Sequence, residues 1–258
     1  MRHFTEAQEL SRACIPFVVV TLVGVRGGAP SEPGAKAIVT KEGLHCGTVG
    51  GGKIEARCIR EAQRMLAEKE RAPWLATWNL QRDIGMTCGG ETTYLFEPHA
   101  ANAWEIAVFG AGHVAQALVR TLLPLSCRIT CVDPRKEWIS RLPAAANLVA
   151  LREENPPDLV GRFPSSAFFV VMTQGHATDM PILREIFRLH PSAPYIGAMG
   201  SKAKAGKMRR ELAESGVPPD LVERLRAPIG LPIGGNEPEE IAISVAAELL
   251  GEKPRISR

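Results

Sequence analysis

The sequence predicts an α/β chain, with a C-terminal Rossmann-like parallel sheet covered by helices on both faces and a smaller N-terminal mixed α/β domain. Three observations carry this. Beyond about residue 103, short apolar, β-branched runs alternate with helical stretches, the pattern of a parallel sheet with crossover helices. The first of these runs ends in Gly110-Ala111-Gly112-His113-Val114-Ala115, a glycine turn that opens a helix. The earlier residues group their strands around turn signals instead. A short polar stretch, Glu97-Pro98-His99-Ala100-Ala101-Asn102, links the halves, so the domains expected are 1–98 and 103–258.

The N-terminal half reads as helix, strands, helix, strands. Ile15 to Val25 is a β-branched run stopped by Arg26-Gly27-Gly28-Ala29-Pro30. Lys36 to Thr40 and Leu44 to Val49 flank Lys41-Glu42-Gly43, which suits a hairpin. Gly50-Gly51-Gly52 then opens a helix whose Ile54, Cys58, Ile59, Ala62, Met65 and Leu66 recur at helical spacing. Trp74 to Leu80 and Glu91 to Phe96 are further strands, separated by a glycine-rich loop. In the C-terminal half the strands expected are Glu105 to Phe109, Arg128 to Val132, Asn147 to Leu151, Ala167 to Met172 and Pro194 to Ile196. Helices are expected over Gly112 to Leu123, Asp179 to Leu189, Lys202 to Ser215 and Glu237 to Leu250. The last starts with a capping Asn236 or Glu237 and acids in its first turn, where the helix dipole favours them.

Composition narrows the function. Against 28 acidic residues stand 31 basic ones, a balance of +3 too small for a nucleic-acid surface, and no aromatic residues interleave with the basic ones. The longest apolar runs, Phe168 to Met172 and Ile241 to Leu250, are too short to span a membrane. Residues 1–14 carry Glu6 and Glu9 and lack the apolar core of a signal peptide, so a cytoplasmic protein is expected. The six cysteines (14, 46, 58, 88, 127 and 131) form no CxxC pair and read as reduced thiols.

Four loops could hold a ligand. Gly110 and Gly112 allow a sharp turn and let backbone N–H groups approach a phosphate at the positive helix end, beside His113. Asp133 closes the next strand, where a ribose-binding acid would sit. That context suits NAD(P), and equally any other phosphate-bearing ligand. Gly50, Gly51 and Gly52 form a second anion-accepting helix start, with Lys53 adding charge and Glu55 following; a flexible hairpin exit explains them as well. Cys88, within Gly85-Met86-Thr87-Cys88-Gly89-Gly90, is placed either for sulfur or thiophilic-metal chemistry or as a buried thiol.

Thr173-Gln174-Gly175-His176-Ala177-Thr178-Asp179 follows a strand at the carboxyl edge of the sheet. His176 could donate to a phosphate or oxo group and Asp179 could anchor a ring N–H, or Thr178 and Asp179 could simply cap the next helix. The fourth loop ends in Gly200-Ser201-Lys202, with Ser201 a natural N-cap ahead of a basic helix. There is no GxSxG, HExxH, Walker A or paired-carboxylate motif, and the histidines and cysteines lack zinc spacing. No catalytic residue and no protein-ligated metal are expected.

Taken together the loops resemble the XdhC/CoxI family of xanthine dehydrogenase accessory proteins. The N-terminal half is similar to that family in Gly28-Ala29-Pro30, Pro33-Gly34-Ala35-Lys36, Gly47 to Glu55 and Gly85 to Gly90. The C-terminal half is similar in Phe109 to Gln116, Val132-Asp133-Pro134-Arg135, Gly175 to Asp179, Tyr195 to Ser201 and Pro228-Ile229-Gly230-Leu231-Pro232-Ile233-Gly234. Gly27-Gly28-Ala29-Pro30 departs from the serine-containing turn of the family, and Gln174-Gly175-His176 from its more frequent Asp-His.

The resemblance implies a non-catalytic chaperone that holds molybdenum cofactor (Mo-molybdopterin) while a NifS-type cysteine desulfurase exchanges an oxo for a sulfido ligand. Cargo then passes to the molybdenum subunit of xanthine dehydrogenase. A homodimer is implied too, and a cleft between the domains would shelter the cofactor. Cofactor-binding residues implied are Gly50, Gly51, Gly52, Lys53, Glu55, Cys88, Gly110, Gly112, His113, Asp133, His176, Asp179, Gly200 and Ser201. Two other readings stand beside it: an NAD(P)-dependent oxidoreductase, and a nucleotide-sensing interaction module.

Overall fold

A computed structural model describes residues 2–87, 89–99 and 104–253. The chain divides into two compact units, Met1–Asn102 and Ala103–Arg258. In the first, strands β1 (Phe17–Arg26), β2 (Lys36–Thr40), β3 (Gly43–Gly47), β4 (Trp74–Asn79) and β5 (Glu91–His99) form an antiparallel sheet in the order β3-β2-β1-β5-β4. Alternation along β1 sorts its side chains. Val18, Val20 and Leu22 meet Ile54, Cys58, Ala62 and Met65 of helix α2 (Gly52–Ala67), while Phe17 faces Leu10 of helix α1 (Arg2–Arg12).

Two boundaries differ from the sequence expectation. The third strand stops at Gly47 rather than Val49, because Gly47 lies against the carbonyl of Lys36, 2.2 Å from where a Cβ would stand, and has φ +84°. Val49 turns inward and joins the core. Glu97, Pro98 and His99 do not belong to a link; they continue β5 and pair with Val19, Val18 and Phe17. Past Phe96 the strand has no β4 partner, an edge that accommodates proline, and the His99 ring stacks on Phe17 with centroids 4.6 Å apart.

The second unit is a six-stranded, all-parallel sheet in the order β11-β10-β9-β6-β7-β8. Its strands are β6 (Trp104–Phe109), β7 (Cys127–Asp133), β8 (Leu148–Arg152), β9 (Phe168–Val171), β10 (Tyr195–Ala198) and β11 (Leu225–Arg226). One face buries helices α3 (His113–Leu122) and α8 (Pro238–Glu252). The other buries α5 (His176–Leu189), α6 (Lys202–Glu214) and the 3-10 turn Pro156–Arg162. Two four-residue helices, α4 (Lys136–Ile139) and α7 (Pro219–Val222), complete the unit. Strands covered on both sides read as continuous apolar runs, and Phe168–Val171 is buried at every position, alternate side chains entering opposite cores. This is the α/β architecture expected, with helices on both faces of the parallel sheet.

Helix α5 starts at His176, three residues before the expected Asp179. Gly175 is extended and its carbonyl accepts from the N–H groups of Thr178 and Asp179 (3.1 and 2.9 Å), closing a first turn that the sequence pattern did not signal. Helix α8 begins with a capping box, in which Glu237 and Glu240 each accept from the other's end of the first turn.

Candidate functional site

Strand order reverses between β6 and β9, and the loops leaving these two strands diverge at the carboxyl edge of the sheet, where ligands bind in this architecture. Gly110 closes β6 with φ +106°, and a Cβ there would lie 2.3 Å from the carbonyl oxygen of Met172. Only glycine lets β6 and β9 exit so close together. Gly112 is different. Its φ of −66° suits any residue, and a Cβ would meet nothing within 4 Å. It is the N-cap of α3 and offers no side-chain cap, so the helix starts with its N–H groups open toward empty space. His113 stands edge-on to Trp138, with ring centroids 4.8 Å apart.

Asp133 is 1% exposed, and both of its oxygens are engaged. Oδ2 accepts from the Ala111 N–H (2.8 Å) and from Arg135 Nη2 (2.7 Å); Oδ1 accepts from Arg135 Nε (2.8 Å) and the Arg135 N–H (2.9 Å). Burial pushes the carboxyl pKa upward, but the Arg135 side chain and the two backbone N–H groups outweigh it and hold Asp133 below the ordinary carboxylate value. The guanidinium also covers the Trp138 ring at 5.1 Å. The amide of Gln174, its oxygen turned toward Arg135, accepts from Nε (3.0 Å) and Nη1 (2.8 Å).

Arg135, Gln174 and Asp133 thus form one wall of a pocket of about 210 Å³. Gly110, Thr173 and Thr178 line it as well, and Pro156, Pro157, Pro181 and Ile182 make it largely apolar. It is smaller than the roughly 300–1,000 Å³ typical of sites for drug-sized ligands. Its size suits one flat heterocycle, with Arg135, Thr173 and Gln174 as polar groups on its edge.

The neighbouring loop uses its polar residues internally. Asp179, 0% exposed, accepts from the Thr173 N–H (3.1 Å) and hydroxyl (2.5 Å) with Oδ1 and from Lys204 Nζ (2.7 Å) with Oδ2. Lys204 Nζ donates also to the Met199 carbonyl (3.1 Å), so the ion pair ties the loops after β9 and β10 together. Asp179 lies inside α5 and does not cap it; that place belongs to Gly175. Ser201 is the N-cap of α6 and accepts from the Lys204 N–H (3.2 Å), while Gly200 packs against the Lys204 stem. His176 Nε2 contacts Glu211 (2.9 Å), and His176 Nδ1 is buried without a partner. The His176 contact is the leading reason Glu211 titrates below its usual range.

In the first unit, Gly50, Gly51 and Gly52 all have positive φ (139°, 68° and 58°). Gly50 abuts the ring of Pro30, whereas Gly51 and Gly52 face open space. Glu55 folds back and accepts from the Thr48 hydroxyl (2.5 Å) and the Val49 N–H (3.0 Å), holding the loop onto the helix. Lys53 Nζ donates to the Gly85 carbonyl (2.7 Å). Cys88 lies outside the described residues.

The second-unit edge therefore gathers Gly110, Gly112, His113 and Asp133, and places His176, Asp179, Gly200 and Ser201 in the adjoining loops. Sequence reasoning assigned no role to Arg135 or to Lys204. An arginine two residues after the strand-end acid was visible in the sequence; the pairing of Lys204 with Asp179 spans separate crossovers and left no local signal. Among the described residues no three His, Cys, Asp or Glu side chains cluster in a way that could hold a metal ion.

Comparison with known proteins agrees with the fold. Residues 106–249 match the XdhC Rossmann domain, and residues 10–78 match the XdhC and CoxI family. The chain belongs to the XdhC family. Among its relatives is the protein called "Uncharacterized protein YqeB" of Escherichia coli K12, 30% identical over 98% of this chain and 46% of that protein. The "Molybdenum cofactor insertion chaperone PaoD" of the same organism is 26% identical over 90% of this chain and 82% of that protein. A probable xanthine dehydrogenase subunit of Bacillus subtilis strain 168 is 29% identical over 65% of this chain and 48% of that protein. The chain thus spans about half the length of the first and third of these relatives.

Proposed function

We propose that this chain is an accessory protein that binds molybdenum cofactor as cargo and inserts it into a xanthine dehydrogenase-type enzyme, without catalysing a redox reaction itself. The observation that carries the reading is the pairing, at one sheet edge, of an open helix start at Gly112 with a heterocycle-sized pocket edged by Arg135, Thr173 and Gln174. The cofactor has the matching halves. Its terminal phosphate suits the uncapped N–H groups of α3, with the helix dipole behind them. Its pterin ring needs an apolar slot with polar groups on the rim. Membership of the XdhC family, and the role that PaoD is named for, support the same cargo.

In this reading Gly110, Gly112 and His113 surround the phosphate, Asp133 holds Arg135 in place, and Arg135 with Gln174 meets the pterin edge. His176, Asp179, Gly200 and Ser201 shape the adjoining loops. Gly50, Gly51, Gly52, Lys53, Glu55 and Cys88, in the first unit, are assigned to contact with the partners. Those partners are a NifS-type cysteine desulfurase and the molybdenum subunit of the client, met in the cytoplasm by a homodimer.

An NAD(P)-dependent oxidoreductase would use the same glycine turn, but its ribose needs the oxygens of Asp133, which Ala111 and Arg135 already hold. One experiment separates the two. Purified protein is incubated with molybdenum cofactor and desalted, and retained pterin is measured by oxidation and fluorescence, with NADH titrated in parallel. Stoichiometric pterin without NADH binding is expected; tight NADH binding without retained pterin would reject the chaperone reading.

A further inference from the structure

Helix α2 carries a second feature, of which the cargo reading uses Lys53 alone. Lys53, Arg57 and Arg60 recur at four- and three-residue spacing and so share one face. That face and the turn at Asp83 and Ile84 enclose a pocket of about 230 Å³, whose remaining wall is Ala56. Like charges so spaced repel, and the pocket's one acid does little to offset them. Asp83 accepts from Arg82 Nε (2.8 Å) and from the Asn79 N–H (2.8 Å).

The three cations are held differently. Lys53 is anchored to the Gly85 carbonyl (2.7 Å), which fixes its ammonium at the rim. Arg57 lies over the Trp78 ring at 5.6 Å and pairs with Glu61 (2.9 Å), yet its Nε is buried with no acceptor. A sealed donor without a partner is costly, and the ligand contact falls to the terminal nitrogens of the guanidinium. Arg60 is exposed and has no partner among the described residues. On the basic helix α6, Lys204 is bound by Asp179, Lys207 faces Glu211, and Arg209 donates to the carbonyls of Leu225 and Ala227, while Lys202 and Arg210 are exposed and, among the described residues, line no pocket with a second cation.

We propose that this pocket on α2 is a binding site for a phosphate monoester. Two guanidinium groups and an ammonium around one concavity match an oxyanion with several acceptor oxygens. The apolar Ala56 and Ile84 provide a seat for the organic part of the ester, which inorganic phosphate lacks. The site lies within the first unit and stands whether or not the sheet edge of the second unit holds the cargo.

The test is an NMR titration of the full ¹⁵N-labelled chain with glycerol 3-phosphate and, separately, with inorganic phosphate. Saturable shifts of the Ala56, Arg60 and Ile84 amides are expected, with the ester binding more tightly. Arg60→Gln, at an exposed and unpaired position, should weaken the ester roughly tenfold, the loss of one charge-assisted contact. Arg210→Gln on α6 should change nothing and controls for net charge. Linear shifts without saturation, shifts mapping elsewhere, or an unchanged Kd in Arg60→Gln would overturn the site. Equal affinity for the two probes would overturn the ester assignment.

Discussion

Two glycines separated by one residue do different work, and substitution should tell them apart. Gly110→Ala drives a Cβ onto the Met172 carbonyl at a positive φ, an overpacking for which a loss of about 3 kcal/mol is expected in chemical denaturation. The Cβ of Gly112→Val meets no atom within 4 Å and φ stays allowed, so its denaturation midpoint should stay close to wild type. Cofactor retention should nonetheless fall, because the side chain fills the approach to the helix start; wild-type retention would move the phosphate elsewhere. Asp133 gives a pH signature. Its folded-state pKa lies below the unfolded value of about 3.9, so its contribution to stability is complete above that value and lost as the pH falls through the folded one. The stability difference between wild type and Asp133→Asn should therefore shrink on acidification from roughly pH 6 to roughly pH 3; a constant difference would reject the role given to Arg135. Burial pushes the thiols of Cys58 and Cys131 up to about 12, so neither should react with iodoacetamide at neutral pH until the chain is unfolded.

At the scale of elements, the loops after β9 and β10 are joined by one buried ion pair. Lys204→Met would leave the Asp179 carboxylate buried opposite an apolar group, and a loss of about 3 kcal/mol is expected. Adding Asp179→Asn should restore part of that loss, since the uncompensated charge is then gone; a strictly additive double variant would show that the pair is not coupled. Periodicity made most elements legible. The β-branched runs, the glycine turn into α3 and the capping acids of α8 announced themselves locally. Three boundaries did not. Gly175 starts α5 through its carbonyl, Gly47 ends β3 through an approach to Lys36, and Pro98 continues β5 because its outer edge lacks a partner. Each of these depends on a neighbour distant in sequence or on a backbone torsion, and neither is written in residue type.

The whole molecule consists of two units, and among the described residues each has two hydrophobic clusters, one on each face of its sheet. Residues 103–258 expressed alone should therefore fold with a single cooperative thermal transition, measured by circular dichroism; a non-cooperative melt would show that the first unit completes the core. What residue order determined by itself was the fold class, the place of the glycine turn and the acid after the next strand, because these follow from apolar period and from steric rules acting over a few residues. Tertiary structure alone decided what those residues face. It set Arg135 onto Asp133, joined Lys204 to Asp179 across two crossovers, and left the α3 start open beside a heterocycle-sized pocket. Those outcomes depend on which strands become neighbours, and strand order follows from packing the whole chain, not from any segment of it.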